Sequence, residues 1–282
     1  MNPRLNERTA AAIGACLVLL HAGAVLFSLQ SPAQLPLIHQ LAGLAASLLS
    51  TAGTVMAARA FSPGDYLRRV WTMFAVSAVL LFVASSLRVG WMLAVPEVPF
   101  ELSALAPVRT LAVVVVNILN PSALVLLALT YRRSGLQPPR SWKTNGLWAL
   151  CAVVALAIVL PHLSHNVKLL MDGGASVAQT LASVVSALGD IVTILLVAPI
   201  LRVAYMMRGG KLAWAWWAMA ASGAMWIVYD AQQWDRIQGP LALLAVARTA
   251  AISLKGLAGV LQRVVLEPEP AKPETAASLR AA

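Results

Sequence analysis

A series of apolar runs, separated by short loops that carry arginine and lysine, constrains this chain more than any other feature. An α-helix needs about twenty apolar residues to cross roughly 30 Å of hydrocarbon. Eight runs approach or exceed that length: Ala10 to Leu29, Leu37 to Ala58, Val70 to Leu87, Val108 to Tyr131, Leu147 to His162, Val177 to Val203, Leu212 to Tyr229 and Leu241 to Leu261. An open strand in lipid would leave backbone groups unpaired, so all eight are read as helices. The expected fold class is an all-α polytopic membrane protein of about eight transmembrane helices. The eighth run is the most polar of them, because it contains Arg248 and Lys255.

The composition fits that reading. Of 282 residues, 60% are hydrophobic and 11% charged, whereas soluble domains carry about 25% charged residues. The net charge of +10 does not point to nucleic acid, because the basic residues lie in short loops between apolar runs. There they act as topology signals and as contacts to anionic headgroups, so the expected partner is the lipid bilayer. Cys16 and Cys151 both lie inside apolar segments and read as small packing residues, not as a disulfide. The charged stretch Met1 to Thr9 precedes an apolar run too long for a signal-peptide core, which predicts a retained first helix.

Loop charge gives the orientation. Arg4 and Arg8 precede the first helix, Arg59, Arg68 and Arg69 follow the second, and Arg132, Arg133, Arg140 and Lys143 follow the fourth. Arg202, Arg208 and Lys211 flank the loop after the sixth, and Arg263, Lys272 and Arg280 follow the eighth. The alternate loops hold far fewer. The alternation predicts an even number of spans with both termini in the cytoplasm. Trp71, Trp142, Trp148, Trp214, Trp216 and Trp217 fall near the cytoplasmic boundary, where an aromatic belt is expected. Residues 1–265 read as one helical bundle, and 266–282, polar and proline-rich, as a disordered cytoplasmic tail.

The two halves, 1–140 and 141–265, resemble each other. Arg8-Thr9 stands before the first helix with Cys16 seven residues after the threonine, and Lys143-Thr144 stands before the fifth with Cys151 at the same spacing. Gly64, Leu67, Trp71 and Ser77 recur with one spacing as Gly209, Leu212, Trp216 and Ser222. A parallel tandem repeat of four helices plus four would give this pattern; so would chance likeness between Ala- and Leu-rich helices. Parallel repeats of this kind occur in some transporters.

Ionisable residues inside spans need a partner or water, since each costs about 2.5–3.5 kcal/mol unpaired at a helix centre. Asp190 lies near the middle of the sixth helix and Arg248 at a similar depth in the eighth, so a pair across the bundle is expected, structural or functional. Lys255, seven residues after Arg248, is placed to snorkel to the interface. A second cluster sits at the outer helix ends: Arg88, Trp91, Arg109, Trp226, Tyr229 and Asp230, with Glu97, Glu101, Asp172, Trp234, Asp235 and Arg236 in facing loops. These residues are either a pocket open to the periplasm or a wet helix rim. Asn117, Asn120 and Pro121 together predict a kink in the fourth helix.

His162 and His165, three residues apart, would need more than Asp172 to complete a metal site. The histidines do not recur on opposed helices as a bis-histidine haem requires. No metal and no cofactor are expected. There is no phosphate-binding glycine loop, no H-E-x-x-H and no G-x-S-x-G, so no known catalytic motif supports an enzyme.

The stretch from Leu188-Gly189-Asp190 through Arg208-Gly209-Gly210 to Trp226 and Tyr229-Asp230 resembles the multi-helix membrane sensor regions of bacterial histidine kinases and diguanylate cyclases. The likeness covers roughly forty residues. No kinase or cyclase output domain follows them, and no residue role is carried over. The resemblance implies a bacterial inner-membrane protein that senses or binds a small ligand and acts with a separate signalling partner. Two other readings stand beside it: a small-molecule or ion transporter with Asp190 and Arg248 at mid-membrane, and a structural subunit of a membrane complex.

Overall fold

The computed structural model describes residues 6–133, 142–172, 177–206, 210–230 and 239–266. Among these residues it is all-helical, with eight α-helices and no strand. The helices are α1 (Glu7–Phe27), α2 (Leu35–Ala60), α3 (Tyr66–Ala94), α4 (Ala106–Arg133), α5 (Trp142–Met171), α6 (Val177–Met206), α7 (Lys211–Asp230) and α8 (Val246–Leu266). The chain is a multi-pass membrane protein by length and apolarity. Six segments qualify as spans on both criteria: Glu7–Gln30, Pro32–Ala60, Tyr66–Ala94, Ala106–Thr130, Asn145–Met171 and Leu241–Leu266. The polar eighth run is one of the six. In α6 the apolar stretch Thr180–Leu196 is shorter, and α7 is diluted by four tryptophans and by charges at both ends.

Local chemistry explains the ends. Asn6 caps α1, its side chain accepting from the Thr9 backbone N–H at 2.8 Å, and Asp65 caps α3 by accepting from Leu67 N–H at 2.8 Å. The break at Ser31-Pro32 is two short 3-10 turns leading into α2. The fifth helix was expected to end near His162 but continues to Met171, with Pro161 inside it. A proline-containing helix persists in a membrane because an interrupted helix there would leave more backbone groups unpaired. Pro121 is accommodated inside α4 in the same way. The expected tail lies outside the described residues.

Six helices pack as a closed ring in the order α2, α3, α4, α6, α7, α8, with α8 returning to α2. Outside the ring, α1 packs on α8 and α2, while α5 packs on α6. Shifting every label by four maps the ring onto itself: the α2–α3, α3–α4 and α2–α8 contacts correspond to α6–α7, α7–α8 and α6–α4. One larger apolar core draws residues from all six ring helices and holds both Trp71 and Trp216. These two tryptophans correct the expected belt. They are only 1% and 2% exposed, whereas Trp142 and Trp214 are 80% and 67% exposed. Their positions in α3 and α7 turn them to the ring interior, where an indole buries more apolar surface than at a headgroup boundary. The outward faces carry exposed Leu20, Phe27, Leu111 and Val153, as lipid contact requires.

Candidate functional site

The ring surrounds a half-open cavity of about 600 Å3 lined from α2, α3, α4, α6, α7 and α8. That volume lies in the range of small-molecule sites. On α3 the lining runs from Phe74 through Leu81 to Arg88, fourteen residues or roughly 21 Å at ~1.5 Å per residue. Helix direction sorts the other contributors. Arg109 of α4, Tyr229 and Asp230 of α7, Arg248 of α8 and His39 of α2 lie toward the Arg88 end. Leu124, Ile200, Met219 and Lys255 lie toward the Phe74 end.

The residues expected to carry function divide between the cavity and its rim. Asp190, Arg248, Arg88, Arg109, Trp226, Tyr229 and Asp230 all line the cavity. Trp91 is not among the lining residues; its Nε1 donates to the Val98 carbonyl at 2.9 Å and ties α3 to the loop beyond it. The expected Asp190–Arg248 pairing takes another form. Asp190 meets Asp230 in side-chain hydrogen-bonding contact, and Arg248 interacts electrostatically with Asp230. The Arg248 guanidinium also lies 5.9 Å from the Tyr229 ring centroid and makes a side-chain hydrogen bond with that residue.

At the mouth, Arg88 donates to Glu101 Oε1 at 2.8 Å. The Arg88 and Arg109 guanidiniums lie 5.9 Å and 5.8 Å from the Phe100 ring centroid, so one aromatic ring at the 3-10 turn Phe100–Leu102 holds two cations in place. Arg248 also has room made for it. A Cβ on Gly43 of α2 would fall 3.3 Å from the Arg248 Cζ, so glycine lets the guanidinium pass close to the α2 backbone.

Lys255 corrects the sequence expectation. It does not snorkel to the interface but is buried. Its Nζ donates to Asn120 Oδ1 and lies 5.0 Å from the Phe74 ring centroid. Ser77 donates to the same oxygen at 2.7 Å. The reason is helical phase. Lys255 is seven residues from Arg248 and shares its inward face, so its stem follows the cavity wall instead of the lipid. Asn117 and Asn120, expected only to support a kink, are cavity residues as well.

Sequence reasoning also missed His39. It lines the cavity, and its Nδ1 hydrogen-bonds His21 Nε2 at 2.8 Å. His21 Nδ1 in turn hydrogen-bonds Thr249 Oγ1 at 2.8 Å. The signal was faint: two histidines eighteen residues apart across a proline-marked turn. Among the described residues no group of three His, Cys, Asp or Glu side chains is placed to hold a metal. The side chain of His162 lies outside the described residues.

A scan against protein-family models, a search of curated proteins and a search of solved structures each found no match.

Proposed function

We propose that this chain is an inner-membrane protein of a bacterium, with eight spans and both termini in the cytoplasm, that binds a small ligand at the centre of its helical ring and signals occupancy to a separate partner. The observation that carries this reading is the cavity, whose wall concentrates Arg109, Asp190, Asp230, Arg248 and Lys255 inside an otherwise apolar bundle. Ionisable groups at membrane depth cost free energy and mark functional sites more often than packing. The likeness of the Asp190 to Asp230 region to bacterial sensor regions supports the signalling role. The alternation of basic loops supports the orientation. A four-plus-four duplication is supported by the packing order, which repeats after four helices, and by Trp71 and Trp216 at matching positions in one core.

A transporter is the second reading, favoured by one observation: the cavity lies at the seam between the two like-packed halves and extends along much of α3, as substrate sites do in repeat-built transporters. Reconstituted protein and a panel of labelled small metabolites separate the two. Binding without uptake, lost in Trp226→Ala or Asp230→Asn, supports sensing. Uptake into proteoliposomes, lost in Asp190→Asn, supports transport. If a folded protein neither binds nor takes up any member of the panel, both readings fall.

A further inference from the structure

The cavity wall is unbalanced in charge. Its described lining residues include four cations, Arg88, Arg109, Arg248 and Lys255, against two acids, Asp190 and Asp230. Glu101 adds a third carboxylate at the rim, already engaged with Arg88 and 60% exposed. The Asp190 and Asp230 carboxyls are in hydrogen-bonding contact and so share a proton, which leaves the three arginines facing two negative charges, that pair and Glu101. Lysine can give up its proton when buried, but arginine remains protonated in proteins, so the three guanidiniums keep their charge. Inside a low-dielectric bundle such an excess is stabilised by a counter-charge brought from outside.

The cations are concentrated at one end. Arg109 is within electrostatic reach of Arg88 and Arg248 and, in the opposite sense, of Glu101 and Tyr229, and among the described residues no carboxylate forms an ion pair with it within 4 Å. Arg88 Nε has no hydrogen-bond partner among the described residues. Phe100 fixes two of the three guanidiniums from one side, and the space left by Gly43 admits the third. Three planar guanidiniums converging on a cavity form a ready acceptor for a carboxylate or phosphate, which they bind through short charge-assisted hydrogen bonds. Beyond them the wall becomes more apolar, with Leu81, Val116 and Leu124.

We propose that the Arg88 end of the cavity binds the anionic group of a small organic carboxylate or phosphate ester, with Arg109 and Arg248 as its direct partners, Arg88 held beside them by Glu101, and the ligand's carbon skeleton directed toward Leu124. This rests on the ligand-binding reading above and names the ligand's charge class. The same chemistry could be supplied by an anionic lipid headgroup. A volume of about 600 Å3 favours the small soluble anion over a whole two-chain lipid.

The test uses the full chain in nanodiscs of zwitterionic lipid, with thermal stability and calorimetry as readouts. The probes are matched sets: succinate, glycerol 3-phosphate and octanoate against succinamide, glycerol and octanamide, with putrescine as a cation. The expected result is saturable binding of at least one anion, with its neutral counterpart weaker by on the order of a hundredfold. Arg109→Gln should remove that preference while Arg109→Lys keeps part of it. The comparison of matched probes on the unaltered protein holds even if an arginine variant fails to fold. Preference for a neutral or cationic probe overturns the inference and leaves the ligand-binding reading standing. Absence of binding by every probe overturns both. Stabilisation by phosphatidylglycerol nanodiscs, lost in Arg109→Gln and without any response to the soluble anions, replaces the soluble ligand with a lipid headgroup and so overturns the proposal as stated.

Discussion

Lys255 donates to Asn120 Oδ1 from a position only 8% exposed, and Ser77 donates to the same oxygen. This arrangement makes an asymmetric prediction. Lys255→Met removes a buried charge and leaves Asn120 with the Ser77 donor, so stability should change by less than about 1 kcal/mol. Asn120→Leu instead strands a buried ammonium and should cost about 3 kcal/mol. In the Lys255→Met/Asn120→Leu double variant most of that loss should be recovered. Denaturation in mild detergent measures the cycle, and additive single effects would refute the coupling. A second residue-scale prediction concerns His21, which sits between Thr249 and His39. Thr249→Val leaves a buried ring nitrogen without its partner and should cost about 1–2 kcal/mol by the same measurement. Neither network was legible in the sequence. Asn120 and Lys255 are 135 residues apart, and only the approach of α4 and α8 across the cavity makes them neighbours. Asp190 and Arg248 were conspicuous because charge is rare in apolar runs, but which acid meets which base depends on helix rotation.

At the scale of elements, the α2–α8 crossing depends on three glycines. A Cβ on Gly53 would fall 2.0 Å from the Gly256 carbonyl oxygen, one on Gly259 would fall 2.4 Å from Gly53 backbone atoms, and one on Gly256 would fall 2.8 Å from the Leu49 carbonyl oxygen. Backbones this close permit extensive van der Waals contact where lipid supplies no hydrophobic drive between helices. The α4–α6 crossing is built alike: a Cβ on Gly189 would fall 2.9 Å from the Asn117 carbonyl oxygen. That carbonyl lies four residues before Pro121 and so receives no N–H from it. Gly53→Val and Gly256→Val should therefore each destabilise the protein by about 3 kcal/mol or prevent its assembly. Gly23→Ala and Gly90→Ala, where nothing lies within 4 Å, should be neutral or stabilising by about 0.5–1 kcal/mol. Thermal midpoints of the four variants check the contrast, and equal losses would deny the glycine seam. Helix existence was readable from hydropathy, whereas the end of α5 lies nine residues beyond the expected His162, with Pro161 accommodated inside the helix.

For the molecule as a whole, the ring joins its halves through two seams, α2–α8 and α4–α6. If the chain is cut between Arg140 and Ser141, the two halves expressed together should assemble and co-purify, while either half alone should aggregate because the charged cavity wall then faces lipid. Recovery of a stable, monomeric single half would contradict the ring. The amino-acid sequence by itself determined that this chain enters a membrane through several helices, because burial in lipid is a property of composition averaged over twenty residues and does not depend on what packs where. It also marked the few ionisable residues that a membrane tolerates for a reason. Only the tertiary structure decided that Trp71 and Trp216 turn inward, that Lys255 stays buried, and that Arg88, Arg109 and Arg248 converge. Those facts depend on the rotation of each helix about its own axis and on the order of helices around the ring. The ring helices other than α8 are apolar on nearly every face and carry little periodicity from which either could be read.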